Sequence, residues 1–417
     1  MKILVVGAGV VGTATAYYLK ADGHEITVLE RGTSAALETS FANAGQLCRY
    51  TARPWAGPSV PSMIFRKLGR TDAPYLIRLR TDPTMWKWLI RFLAHCRDTK
   101  YRDTHSNLMR LSVHSSNLME ELLSAVPLQF DHKSHGVLHL FRDQKTFDHA
   151  AEDNQRIMNT ESRGEVLSPD KCVAAEPALA QSSSGFSGGI LHHHEQTGDA
   201  HRFTTHLATY LETQGVIFRY GINAQQLITE GDTVFGLVTD KGPIEADAVV
   251  ISAANGSVQL LEPVCPGLPI YPVKGYSITV DTAGFNGAPT VGIHDHSCKI
   301  GFSRLGERLR VAGTAEFGAR DNLPDRGRIE TLRTQARKLF PGAGKFETAK
   351  TWAGLRPMTP DGAPIIGRTK WKNLFVNTGH GSLGWSLACG SGGIVADLVS
   401  ERAPPIDLSG LTIERFN

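Results

Sequence analysis

Three glycines at positions 7, 9 and 12 and a carboxylate at position 30 are the residues of this chain whose types and spacing point most directly to chemistry. Gly7-Ala8-Gly9-Val10-Val11-Gly12 reads G-x-G-x-x-G, and Glu30 stands 18 residues beyond the third glycine, the offset at which an acid reaches a ribose hydroxyl. Such a loop bares backbone N–H groups to a pyrophosphate. The first glycine makes the turn, the second admits the phosphate, and the third lets the following helix lie close to the strand. A second glycine loop, 379–384, precedes another helix, whose start would also favour negative charge. His192-His193-His194-Glu195 supplies metal-ligating residue types. Consecutive strand residues face alternately, however, and no other His/Cys cluster has ligand spacing, so no metal is expected.

The glycines need a strand before them and a helix behind. Ile3 to Leu19 is an uncharged run of seventeen residues behind Lys2. A membrane-spanning helix needs ~20 apolar residues with few breaks, and this run is shorter and interrupted by Gly7, Gly9, Gly12, Thr13 and Thr15. Lys2, the apolar middle and Ala14-Thr15-Ala16 also have the order of a secretory signal. The strand and helix pattern of the first thirty residues favours nucleotide binding instead: Ile3 to Val6 reads as a strand, Thr13 to Ala21 as a helix stopping near Gly23, and Glu25 to Glu30 as a second strand.

With 417 residues, 41% apolar and 20% charged, the chain is long enough for two interleaved domains. A net charge of +3 argues against a nucleic-acid-binding surface. Six scattered cysteines form no close pair, which fits a reducing cytoplasm. Locally, 62–102 holds ten Lys or Arg against three Asp. Within it Trp86, Leu89, Ile90 and Leu93 recur at helical spacing among Lys87, Arg91 and Arg97, as in a helix resting on anionic lipid or packed on its own domain. A helix is expected over 199–215, capped by Thr197 or Asp199, with strands at 216–220, 233–239 and 246–251. The last strand runs into the small residues "SAAN", as a strand does where it meets a cofactor. "TSFANAGQ" (39–46) is a loop that could approach a flat ligand, and the helix after Gly384 is expected to expose a face of small residues.

The glycine unit, "TSFANAGQ", "YPVKGYS" (271–277), "WAGLRPMTPDG" (352–362) and "NTGHGSLGWSLACGSG" (377–392) occur in one order. Together they resemble the D-amino acid dehydrogenase branch of the D-amino acid oxidase superfamily of FAD enzymes, over nearly the whole length. The resemblance implies an α/β fold: a discontinuous Rossmann-like FAD-binding domain (1–50, 196–262 and 350–417) and an antiparallel β-sheet substrate domain (51–195 and 263–349). It implies that Gly7, Gly9, Val10, Gly12, Glu30 and Arg31 hold the ADP half, and that Ser40, Asn43, Ala44, Gly45 and Gln46 sit near the flavin ring. Ala224, where such proteins more typically have valine, Asn255, Gly354, Gly381, Ser382, Leu383 and Gly384 complete the shell. Gly354 stands where the sarcosine oxidase branch has its flavin-tethering cysteine, so the FAD should be non-covalent. Carboxylate-binding arginines of the D-amino acid oxidase and glycine oxidase branches align with Thr359 and Ser382, so neither anchor carries over. "HHHEQTGD" replaces an acid-rich "DETGD" of the dehydrogenases.

The implied reaction moves a hydride from Cα to flavin N5, leaving an imine that hydrolyses to a 2-oxo acid and ammonia, with the electrons passing to a quinone or other carrier. The partner is then a small-molecule amino acid substrate, its side chain left open, and peripheral contact with the inner membrane face fits such a carrier. A cation must hold the carboxylate so that one Cα face meets the ring. Arg356 is the first candidate and Arg304 the second. Tyr276 could cap the substrate, and Lys274 could tune the flavin or react with acceptors. Two rivals remain: an FAD enzyme of a secondary or simple amine (D-proline, D-hydroxyproline, sarcosine, glycine), and a dinucleotide-binding subunit without turnover.

Overall fold

A computed structural model describes residues 1–67, 73–78, 80–319 and 321–416; Arg70 and Asp72 of the basic segment lie outside them. Lys2–Val6 is nearly all apolar because it is buried on both faces at the centre of a parallel sheet. The sheet has six strands in the order Ile365–Arg368, Leu374–Thr378, Ala248–Ile251, Lys2–Val6, Glu25–Glu30, Ile217–Tyr220, and only the first pairs antiparallel. From Lys2–Val6 the chain adds strands first on one side and later on the other. The glycine loop therefore leaves the sheet at its topological switch point, where doubly wound sheets bind ligands.

Helix Val10–Ala21 follows that loop, and Gly23, at φ +83°, ends it. Helix Ala200–Thr213 starts at Asp199, whose carboxylate accepts the His201 and Arg202 N–H groups. Helix Gly384–Val399 corrects an expectation: its small face is buried, not exposed. A Cβ on Gly392 would lie 3.0 Å from the Thr15 nitrogen, and one on Gly390 2.8 Å from the Ser115 Cβ, so the small residues let the helix press between Val10–Ala21 and Asp98–Ala125.

The second sheet has nine strands, in the order Lys350–Met358, Tyr271–Asp281, Arg308–Phe317, Ile300–Leu305, Gly292–Asp295, Val137–Phe141, Gly188–His192 and Glu165–Leu167, with Tyr75–Ile77 beside Arg308–Phe317. It is antiparallel except where Gly292–Asp295 meets Val137–Phe141 and where Tyr75–Ile77 joins. The boundary expected at 350 thus falls after Met358, and helix Asp98–Ala125 packs in the core of the first sheet, not the second. One face of this sheet buries Tyr276, Ile278, Val280, Phe302 and Val311 against Ile329, Leu332 and Leu339 of helix Arg326–Leu339. Strand alternation puts Gly275 and Ser277 on the opposite face, towards the loop 39–46. Arg310 ties that loop to the sheet, donating to the Asn43 carbonyl at 3.0 Å and the Thr279 hydroxyl at 2.9 Å.

Candidate active site

A cavity of about 450 Å³ opens at the ends of the parallel strands and is lined by Gly7, Gly9, Glu30, Arg31, Ser40, Ala224 and Ser252 among others. Gly7 is at φ +105°, and a Cβ there would lie 2.6 Å from the Ser252 carbonyl oxygen. A Cβ on Gly12 would overlap the Gly7 carbonyl oxygen, so this glycine acts in helix packing and is absent from the wall. At Gly9 the nearest atom to such a Cβ is Ser40 Oγ at 3.4 Å, so the space there belongs to the cavity. The N-cap of helix Val10–Ala21 is Gly9, which has no side chain to cap it, and no acid stands in its first turn; Ser40 Oγ accepts the Val10 N–H at 3.0 Å, and the helix's positive end faces the cavity beside it. Glu30 accepts the Ala8 N–H at 2.9 Å and the Gly32 N–H at 2.7 Å, which fixes its carboxylate at the rim with lone pairs to spare. Arg31 is turned to solvent and paired with Glu38.

A second cavity of about 180 Å³ shares Gly9, Thr39, Ser40, Ser252 and Ala254 with the first, so the two form one elongated site. Its walls are Val10, Asn43 and Ala44 on one side and Gly381, Ser382 and Gly384 at the end. The sheet residues Gly275, Ala312, Trp352, Gly354 and Arg356 form the other side. Helix Gly384–Val399 also begins without a side-chain cap or an early acid. Ser252, Asn377 and Trp385 border this space, and their Oγ, Oδ1 and Nε1 are buried and, among the described residues, without a hydrogen-bond partner. Such atoms are costly unless a ligand satisfies them.

Arg356 is the cation of the second cavity. Its Nη1 donates to the Thr314 carbonyl at 3.0 Å, and its guanidinium lies 5.4 Å from the Trp55 ring centroid. Burial pulls it down to about 10, partly offset by Tyr75, so it stays charged at neutral pH. Among the described residues no carboxylate pairs with it. The accepting carbonyl sits on a β-bulge where Thr314 and Ala315 oppose the single residue Gly275. Thr314 is at φ +59°, a strained region for a β-branched residue, and such strain persists where the surroundings impose it, commonly at functional sites.

The other substrate candidates do not join Arg356. Tyr276 points to the reverse side of the sheet, where its hydroxyl donates to Glu316, and Lys274 is buried against Asp321 at 2.8 Å. Both flank Gly275, so alternation sends their side chains to the reverse face of the sheet, although Tyr276 borders the inner cavity at the strand. Arg304 lies near the strand end, its Nε 3.4 Å from the Gly306 carbonyl, and lines neither cavity. Gly45, Gln46, Asn255 and Leu383 are likewise off the walls. Gln46 donates to the Ile293 carbonyl at 2.8 Å, and Asn255 to the Leu355 carbonyl at 2.9 Å, bracing the loop and the Arg356 strand. Sequence reasoning missed Ser252, Trp352, Asn377 and His380. All four stand in segments read as cofactor-facing, but nothing singled them out. His380 is buried, pushed down to about 3 by desolvation, and 3.0 Å from Ser391 Oγ through Nε2.

The histidine run also behaves differently from expectation. His192 joins His139, His294 and His296 from neighbouring strands, with His139 at 4.7, 5.2 and 5.1 Å between ring centroids. Among the described residues no group of His, Cys, Asp or Glu has metal-holding geometry. Burial first, then mutual repulsion and Arg53, holds His139 well below the ordinary range; burial and nearby cations push His192 and His294 down to about 4. In the unfolded chain these rings titrate near ~6.5. Between that pH and 4 the unfolded chain binds more protons, so stability is full above this window and falls as the pH drops through it. Melting at about pH 7.5 and about pH 5 should show a smaller acid-induced drop for His139→Gln than for the parent. An equal drop would contradict this assignment.

Residues 2–398 match the FAD dependent oxidoreductase family. The chain is 45% identical over 417 residues to a D-amino acid dehydrogenase of Paramagnetospirillum magneticum, covering 100% of this chain and 99% of that protein. It is 41% identical over 416 residues to one of Bradyrhizobium diazoefficiens, with 100% and 99% covered. Among solved structures, glycine oxidase from Bacillus cereus superposes with a TM-score of 0.74 at 20% identity, covering 97% of this chain and 96% of that one. L-proline dehydrogenase from P. horikoshii gives 0.72 at 18%, covering 100% and 97%. At these identities the two structures speak for the fold. FAD suits the joined cavities: a helix start faces them at the first glycine loop, a second helix, uncapped, and three orphaned polar atoms border the inner end, and space is left at Gly9. Matched along nearly its whole length, with a cavity shaped for that cofactor, the chain belongs to the FAD dependent oxidoreductase family.

Proposed function

We propose that the protein oxidatively deaminates D-amino acids to 2-oxo acids and ammonia, with FAD bound non-covalently across the two cavities. The observation that carries this reading is Arg356, a charged guanidinium on the wall of the inner cavity with no acidic partner among the described residues. It holds the substrate carboxylate and so decides which Cα face is presented. When bound, the flavin supplies the two-electron acceptor for the Cα hydrogen. No Asp or Glu lines the inner cavity among the described residues, and His380 is too weak a base at about 3 to hold a proton. The substrate amine therefore reacts after losing its own proton, and kcat/KM rises with pH as the substrate ammonium gives that proton up to solvent. Among the described residues no cysteine lines either cavity, so acid precipitation should release the flavin into the supernatant.

Turnover of D-alanine with a soluble quinone, compared with peroxide release in air, tests the reading. Acceptor-dependent turnover with little peroxide is expected; stoichiometric peroxide from glycine or sarcosine would favour the simple-amine oxidase instead.

A membrane-borne acceptor is supported by helix Pro83–His95. Met85, Trp88, Leu89 and Phe92 pack inward, so Leu89 belongs to the buried face, while Trp86, Ile90 and Leu93 are 43%, 67% and 47% exposed beside Lys87 and Arg91. No described helix is long and apolar enough to cross a membrane. This stripe lies on an anionic lipid surface, each basic residue adding about 1 kcal/mol there. Co-sedimentation with anionic vesicles should be lost in Ile90→Glu while turnover with a soluble acceptor persists. A parent protein left in the supernatant would refute the contact.

A further inference from the structure

Gly275 and Gly354 stand directly opposite each other in the mixed sheet, and neither has a positive φ that would call for glycine. The space of their missing side chains is taken by neighbours lying flat. A Cβ on Gly275 would overlap the guanidinium of Arg356, and one on Gly354 would overlap the six-membered ring of the Trp352 indole. The guanidinium and the indole thus cover adjacent strands, which run about 5 Å apart. Both belong to the wall of the inner cavity.

The row continuing from Trp352 across the sheet is Ser277 and then Ala312. The indole is therefore the one bulky apolar group of that row on this wall. Among the described residues it stacks on no other aromatic ring, and it is half-buried. An amino acid whose carboxylate is paired with Arg356 has its Cβ only two bonds from the carboxyl carbon. Its side chain must then start within reach of the indole.

We propose that Trp352 is the residue that sets side-chain size in this enzyme, closing the wall beside the substrate Cβ so that short aliphatic D-amino acids are preferred over long or aromatic ones. The inference rests on the reading of Arg356 as the carboxylate anchor. The indole contributes shape rather than charge, so its removal should alter which substrate is used and not whether the carboxylate is held.

The test compares the flavin-loaded parent with Trp352→Ala and Trp352→Phe, measuring kcat/KM for D-alanine and D-phenylalanine with a soluble acceptor. Trp352→Ala should raise the D-phenylalanine to D-alanine ratio by about 10-fold or more, within the range that pocket shape alone can supply. Trp352→Phe should fall between, and both variants should keep their flavin. An active Trp352→Ala whose ratio stays within about twofold of the parent overturns the role of Trp352 alone. Loss of flavin from both variants also overturns it, because the indole would then belong to the cofactor cradle. A parent whose flavin is reduced by neither D-amino acid overturns the functional reading itself, and this inference with it.

Discussion

Replacing Arg356 by leucine should lower kcat/KM for D-alanine by roughly 10²–10³-fold, since truncating one partner of a desolvated ion pair costs about 2–5 kcal/mol. The guanidinium has no carboxylate among the described residues to neutralise it, and its fixed contacts are the Thr314 carbonyl and the Trp55 ring. The substrate would be left with a carboxylate enclosed and unpaired. Arg356→Lys should rescue little, because an ammonium cannot reproduce the planar two-pronged pairing. Flavin content should persist in both variants, and preference for the D over the L enantiomer should weaken with the anchor. A leucine variant whose kcat/KM stays within about threefold of the parent would place the anchor elsewhere.

A methyl group on Gly12 should expel the flavin. The added carbon would overlap the Gly7 carbonyl oxygen and lie 3.4 Å from the Ser252 Cβ, and the first of these contacts is with main chain, which cannot swing aside as a side chain does. Helix Val10–Ala21 must move outward, withdrawing the amide groups that face the larger cavity, and overpacking of this kind costs ~1–3 kcal/mol. Purified Gly12→Ala should carry about a tenth or less of the parent's flavin absorbance per chain and melt earlier. Gly23→Ala is the control. Unlike Gly12 it is at a positive φ, +83°, and among the described residues no atom lies within 4 Å of the new carbon, so stability should fall while flavin is kept. Full flavin in Gly12→Ala would contradict the packing role of that glycine.

The cofactor end was readable because each signal there has a local cause. Ile3 to Val6 is continuously apolar since the strand is covered on both faces, Gly7 turns at φ +105°, and Asp199 caps the helix it immediately precedes. The substrate end depends on long-range pairing. Period-two alternation separates Gly275 from Lys274 and Tyr276, but which side meets the cavity is fixed by register with Lys350–Met358, some eighty residues later. Arg304 and Arg356 look alike in sequence, and only the strand order places one on the wall and the other at a remote strand end. The histidine cluster has the same origin. His139, His192 and His294 are distant in sequence and meet only because Val137–Phe141 is flanked by Gly188–His192 and Gly292–Asp295. The bulge at Thr314, which aims a carbonyl at Arg356, leaves no sequence signal beyond an ordinary β-rich run.

The central claim is that FAD lying between the first glycine loop and helix Gly384–Val399 is reduced by a D-amino acid held by Arg356. Anaerobic mixing of the yellow holoenzyme with D-alanine, and separately with L-alanine, tests it most directly. Bleaching of the flavin by D-alanine, with one 2-oxo acid and one ammonia formed per flavin reduced and no reduction by the L enantiomer, is the expected result. A flavin-loaded protein that D-alanine and other D-amino acids leave yellow, or that L-amino acids bleach instead, would contradict it.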